Sequence, residues 1–290
     1  MRLLARVPAT SANLGPGFDC FGLALDLCNE VVIDTDGQGV TWEGEGAGEL
    51  PTDGSDAIST AVATVAMESG VGTPLFSLRG VNRIPLARGL GSSAAATVAG
   101  VAIADRLLGL SMSAADVVRL ASTLEGHPDN VAAAALGGLT LAYDEGVVRL
   151  EPAPDLAPVV LVPETMTLPT ATARAALPAT VTRADAAFTI GRAAIAVVAL
   201  TADPALLPEA LKDRIHQPYR LPLVPEANEL FRRLRDAGIA VCVSGSGPAL
   251  VAFDLPDRPV PDAPDGWRAL RAGVRATGVE IEEPDRAAGP

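Results

Sequence analysis

The sequence predicts an α+β protein in two lobes. Strand-like and helix-like runs alternate irregularly instead of in strict β-α order, a proline-rich break covers Pro152–Pro158, and glycine-rich turns fall near Gly15, Gly89 and Gly245. These observations divide the chain at 152/153, with lobes over 1–152 and 153–290.

Each element has a local reason. Leu3–Val7 and Leu23–Asp34 read as strands on either side of a turn-rich Ala9–Gly22 segment. Polar, glycine-rich 37–55 is expected to be hairpin and loop. Asp56 reads as the N-cap of a helix to Met67, and Leu75–Arg79 as a short strand. Ala94–Leu108 is a nearly all-apolar helix, which implies burial on most sides. Ser113 to Asp116 has the spacing of a capping box before a helix ending at Glu125. Gly138–Tyr143 and Val147–Leu150 suggest a hairpin turning at Asp144-Glu145-Gly146.

After the break, Val159–Val162 is a strand. Helices are expected over 170–176, 183–200, 205–215 and 226–237, then strands over 239–243 and 249–253 around Ser244-Gly245-Ser246-Gly247-Pro248. A last helix over 267–276 leads into a strand over 279–282.

The formal charge of −13 argues against nucleic acid or an anionic membrane as partner, since both select clustered cations. Cys20, Cys28 and Cys242 are odd in number and widely spaced, so they read as reduced thiols of a cytoplasmic protein. The start of the chain lacks the apolar stretch of a signal peptide, and no uninterrupted apolar window reaches membrane-spanning length. Self-association into a homodimer is left open.

The most informative stretch is Pro85-Leu86-Ala87-Arg88-Gly89-Leu90-Gly91-Ser92-Ser93-Ala94-Ala95. A glycine turn opening a helix presents free N–H groups at the positive end of the helix dipole, a geometry that favours phosphate. Hydroxyls at its mouth suit magnesium, which prefers oxygen ligands beside phosphates. The sole lysine, Lys212, lies far from any glycine turn, which excludes a Walker A loop. Protein-kinase signatures are absent. Gly89-Leu-Gly-Ser-Ser-Ala94 fits the dinucleotide fingerprint, but Asn82-Arg83-Ile84-Pro85 is a poor buried strand to precede it.

Three segments together, Val7 to Asp19, Pro85 to Ala95 and Val243 to Pro248, resemble in content and order the motifs of the GHMP small-molecule kinases. With Glu125-Gly126-His127-Pro128-Asp129-Asn130, the first segment is similar to the homoserine branch of that superfamily. The resemblance implies a ribosomal-protein-S5-like N-terminal lobe, a ferredoxin-like C-terminal lobe and an active site between them. It implies transfer of the ATP γ-phosphoryl group to the side-chain hydroxyl of L-homoserine, giving ADP and the O-phosphohomoserine used for threonine.

By the same resemblance, Ser93 and Glu125 hold Mg2+, and Arg174 and Arg220 bind the substrate carboxylate, for which a guanidinium fork is suited. Asp19 faces the ammonium group, with turn stabilisation as its other reading, while Asn13 and Thr170 lie near the substrate. Asn130 sits near the reacting hydroxyl and His127 orients neighbours. For the hydroxyl proton, either Asp129 accepts it or positioning suffices and it leaves to phosphate or solvent; the second is favoured, because a loose transition state needs no strong base. His216 receives no role.

Overall fold

Apolar side chains on one face make Arg2–Ala12 (β1) and Phe21–Asp34 (β2) the longest strands of the first sheet in a computed structural model of the chain, which describes residues 1–144 and 146–284. They pair antiparallel from Arg2–Asp34 to Ala12–Gly22, with a register shift between Pro8 and Ala9. The strand therefore runs four residues into the segment expected to turn, through the buried Ala9, Thr10, Ser11 and Ala12.

Gly39–Gly44 (β3) forms no hairpin. It pairs in parallel with Ser77–Asn82 (β4), which is antiparallel to β2. Leu139–Tyr143 (β5) and Gly146–Leu150 (β6) form the expected hairpin, although Glu145 of its turn lies outside the described residues.

The helices behind this sheet are Ala57–Glu68 (α1), Ser92–Leu108 (α2), Ala114–Glu125 (α3) and Asp129–Leu136 (α4). Asp56 caps α1 by accepting from the Ser59 amide, and Ser113 and Asp116 form the reciprocal capping box of α3. The short α4 was not evident in the sequence. Ala94 to Ala104 of α2 are nearly all buried, against α1, α3, α4 and β1.

Ala157–Pro163 (β7) begins the second sheet. Helices Thr170–Ala175 (α5), Arg183–Thr201 (α6), Leu207–Ala210 (α7), Gln217–Arg220 (α8) and Pro225–Asp236 (α9) follow, then Ala240–Val243 (β8), Leu250–Asp254 (β9) and Trp267–Leu270 (β10). The order β10-β7-β9-β8 is antiparallel throughout. One apolar cluster reaches from Leu3 of β1 to Val160 of β7 and Phe253 of β9, so the two sheets share a core.

Two expected helices are corrected. The one over 267–276 is β10 followed by irregular chain: pairing of Trp267–Leu270 with β7 overrides a helix-compatible composition. The one over 205–215 shrinks to a 3₁₀ turn and α7, after which Asp213 turns the chain by accepting from the amides of Ile215, His216 and Gln217. In addition, α6 is long and apolar enough to cross a membrane by length and composition, at 19 residues and a mean hydropathy of 1.5. It packs on α7, and its Asp185 and Arg192 pair with Arg214 and Glu209.

The chain then returns to the first sheet, where Glu280–Glu282 (β11) pairs antiparallel with β1. On the way, Arg275 O accepts from the Gly138 amide at 2.8 Å and Arg149 reaches Ala276 O at 2.8 Å, which ties this strap to the end of α4.

Candidate active site

A cavity of about 110 Å³ opens where the N-termini of α2 and α4 meet the turn after β8. It brings together Asn13, Asp19, Pro85, Ala87, Arg88, Gly89, Leu90, Gly91, Ser92, Ser93, Glu125, His127, Asp129, Asn130, Thr170, Arg174 and Arg220. Gly245 and Ser246 complete the lining; the sequence pointed to their turn without giving them a role.

Backbone packing fixes the glycine turn. Gly89 and Gly91 have φ of 77° and 66°, and a Cβ on them would lie 2.2 Å from Ser244 O and 2.0 Å from Thr10 Oγ1. Ser244 Oγ sits 2.7 Å from Gly89 O and 2.9 Å from Ser11 Oγ, locking the turn between β1 and β8. No side chain caps α2, so its first amides lack a side-chain acceptor where Ser92 and Ser93 line the cavity.

Four residues of the stretch expected to bind ATP are placed otherwise than at the phosphate. Ala94 and Ala95 are buried behind the turn, and the Ala95 amide already donates to Gly91 O at 2.8 Å. Leu86 lines an adjacent cavity with Trp42, Leu50, Ile58 and Ser92. Arg88 borders the site, yet its guanidinium donates to three carbonyls, Pro163 (2.8 Å), Leu86 (2.9 Å) and Glu164 (2.6 Å). It therefore clamps the turn to the end of β7 and has few donors left for phosphate.

On the α2 wall, Ser93 Oγ donates to Glu125 Oε2 at 2.9 Å and Thr97 Oγ1 to the same oxygen at 3.4 Å. Among the described residues no three His, Cys, Asp or Glu side chains converge as a metal cage. A hydroxyl and one carboxylate beside a phosphate turn nevertheless suit magnesium, which keeps waters and substrate oxygens in its shell.

At the start of α4, Asp129 Oδ1 accepts from the Asn130 amide (2.7 Å) and lies 3.3 Å from Asn130 Nδ2 and 3.2 Å from His127 Nδ1. The Asp129 carboxylate raises the His127 pKa, against the effect of burial. Thr10 Oγ1 donates to Asn130 Oδ1 at 2.7 Å and so fixes which way that amide points.

The opposite wall carries paired charges. Arg174 donates through both terminal nitrogens to Asp19, at 2.9 and 3.0 Å, and this contact raises the arginine pKa. Arg220 is 2% exposed, forms no ion pair among the described residues, and leaves its Nε without a partner. Its Nη1 donates to Gly245 O at 3.0 Å, and Asn13 Nδ2 donates to the same carbonyl at 2.7 Å. Asn13 Oδ1 in turn accepts from the Asp19 amide at 2.9 Å. Asn13 and Asp19 both hold positive φ, 68° and 54°, so backbone strain is stored where the charges are aimed. Thr170 Oγ1 lies 3.4 Å from Ser246 Oγ at the rim.

Residues 56–138 match the family described as GHMP kinases N terminal domain, and residues 196–271 match GHMP kinases C terminal. A homoserine kinase of Clavibacter michiganensis is 41% identical, covering 100% of this chain and 96% of its own length. One from Streptomyces avermitilis is 43% identical over 95% of this chain and 94% of its own. The crystal structure of homoserine kinase from Cytophaga hutchinsonii superimposes with a TM-score of 0.81 at 28% identity, covering 97% of both chains. Mevalonate diphosphate decarboxylase from Staphylococcus aureus, at 18% identity and a TM-score of 0.67 over 97% of this chain and 98% of its own, shares the fold.

Proposed function

The chain belongs to the homoserine kinase family within the GHMP kinases, and on that premise we propose that it transfers the γ-phosphoryl group of ATP to the side-chain hydroxyl of L-homoserine. One observation carries the reading. A phosphate-type turn and an Arg–Asp–Arg set matched to a zwitterion line opposite walls of a single cavity.

The amides of Gly89 to Ser93 cradle the triphosphate and substitute for the absent lysine. A small cavity lined by Trp42, Leu50 and Leu86 adjoins the turn at Ser92, and the nucleoside is assigned to that side of the turn. Ser93 and Glu125 hold Mg2+, which supplies charge neutralisation on the phosphates. Arg220 and Arg174 receive the substrate carboxylate and Asp19 its ammonium group. To admit the zwitterion, the Arg174–Asp19 pair exchanges each partner for the opposite end of the substrate.

Asn13, Thr170, Asn130 and His127 orient the acceptor. The hydroxyl oxygen forms its bond to phosphorus as the bond from phosphorus to the ADP oxygen breaks. The Asn130 amide and side chain donate to Asp129 Oδ1, and His127 Nδ1 lies 3.2 Å from it, so that oxygen is already engaged within the protein. The proton is therefore assigned to the transferred phosphate or to solvent.

The test is coupled ADP release with L-homoserine, mevalonate and galactose as separate acceptors. Homoserine-dependent release well above the other two is expected. Equal or absent release with homoserine would overturn the assignment.

A further inference from the structure

His216 is fully buried (0% exposed), and no step above uses it. Its Nε2 lies 2.7 Å from Gly15 O and its Nδ1 lies 3.3 Å from Arg220 Nη1. Both partners are one-way groups, since a carbonyl only accepts and a guanidinium only donates. A single tautomer satisfies both: neutral imidazole with its proton on Nε2 and its lone pair on Nδ1. An imidazolium would turn an N–H toward the N–H of Arg220.

Burial, helped by the Arg220 charge and opposed by Asp213, lowers the pKa of His216 to about 4, in keeping with that tautomer. Asp213 Oδ2 is 3.7 Å from Nε2 and is occupied by the amides of His216 and Gln217, at 2.9 and 2.8 Å. It therefore anchors the backbone of His216 without protonating its ring. The imidazole stacks on Phe18 with centroids 5.4 Å apart, and the Arg220 guanidinium lies 5.3 Å from the centroid of the same phenyl ring. Phe18 directly precedes Asp19 in the turn that Gly15 begins. One imidazole thus contacts both Arg220 and the loop that carries Asp19, the ion-pair partner of Arg174.

We propose that His216 is a positioning residue for substrate recognition, which acts through Arg220 by fixing the plane of its guanidinium and through Gly15 by holding the Phe18–Asp19 turn. The proposal rests on the homoserine reading above. It predicts a defect confined to the substrate side of the cavity, because the ring's partners are Gly15, Arg220, Asp213 and Phe18, none of them in the Gly89–Ser93 turn.

The experiment is steady-state kinetics with Mg-ATP and L-homoserine. His216→Leu is expected to raise the homoserine KM roughly 10- to 100-fold while the ATP KM moves less than about twofold. In an Arg220→Ala background the same change is expected to add little, because the interaction it removes is already gone. His216→Asn places an acceptor near the Nδ1 position and is expected to recover most of the homoserine KM. His216→Gln keeps only a donor toward Gly15 and is expected not to. This contrast decides the matter even if the leucine variant fails to fold. Equal homoserine KM values for the asparagine and glutamine variants, or parallel rises for ATP and homoserine, would overturn the role while leaving the reaction intact. A wild-type protein inactive on homoserine would overturn both.

Discussion

Arg174 grips Asp19 through both terminal guanidinium nitrogens, at 2.9 and 3.0 Å, although each is assigned to a different end of the substrate. The two charges compensate one another, and in the proposed function the substrate separates them. Arg174→Ala is accordingly expected to raise the homoserine KM by about 10- to 100-fold with little change for ATP. Arg174→Lys should recover little, because an ammonium group cannot reproduce the bidentate fork. Equal effects on both substrates, measured by initial rates, would remove Arg174 from the carboxylate site.

Ser93 and Glu125 form the oxygen pair that suits magnesium. Ser93→Ala is expected to raise the Mg2+ concentration for half-maximal activity several-fold and to lower kcat by about tenfold. A magnesium titration at saturating ATP and homoserine checks this. An unchanged titration curve would exclude the hydroxyl from the metal shell.

Asp129→Asn addresses the proton. Its Oδ1 is occupied by neighbouring donors, so the variant is expected to keep kcat within about tenfold of wild type. A loss of about a thousandfold in kcat with intact KM values would make Asp129 the general base instead.

His216 gives a pH signature in stability. Its folded pKa, about 4, lies below the unfolded value of about 6.5. Below the unfolded value the denatured chain binds a proton that the native chain does not. Native stability should therefore fall as pH drops from about 6.5 toward about 4, with the full contribution present above that window. Urea melts across this range should show a shallower decline for His216→Asn, and an identical decline would mean that the ring is not buried neutral.

Local chemistry made part of this molecule legible. Asp56 and Ser113 cap helices because their oxygens reach an amide three residues on, and the Gly89–Ser93 turn declares itself through glycine and hydroxyl spacing. Partners distant in sequence hid the rest. β3 and β10 are strands because β4 and β7 offer them free edges, which no window around Trp42 or Trp267 records. Arg88 invited a phosphate role until the carbonyls of Pro163 and Glu164 came to face it from β7 and the residue after it. His216 gave no signal, because its meaning depends on a carbonyl 201 residues away.

The return of the chain to its first sheet carries a consequence for biosynthesis. A nascent polypeptide that has emerged only as far as Leu150 holds the whole Gly89–Ser93 turn, yet it lacks Ile281 opposite Ala5 and the Arg275 carbonyl that receives the Gly138 amide. The half that begins the protein therefore cannot be finished first on the ribosome. It waits, one edge bare, until Glu280–Glu282 have been translated.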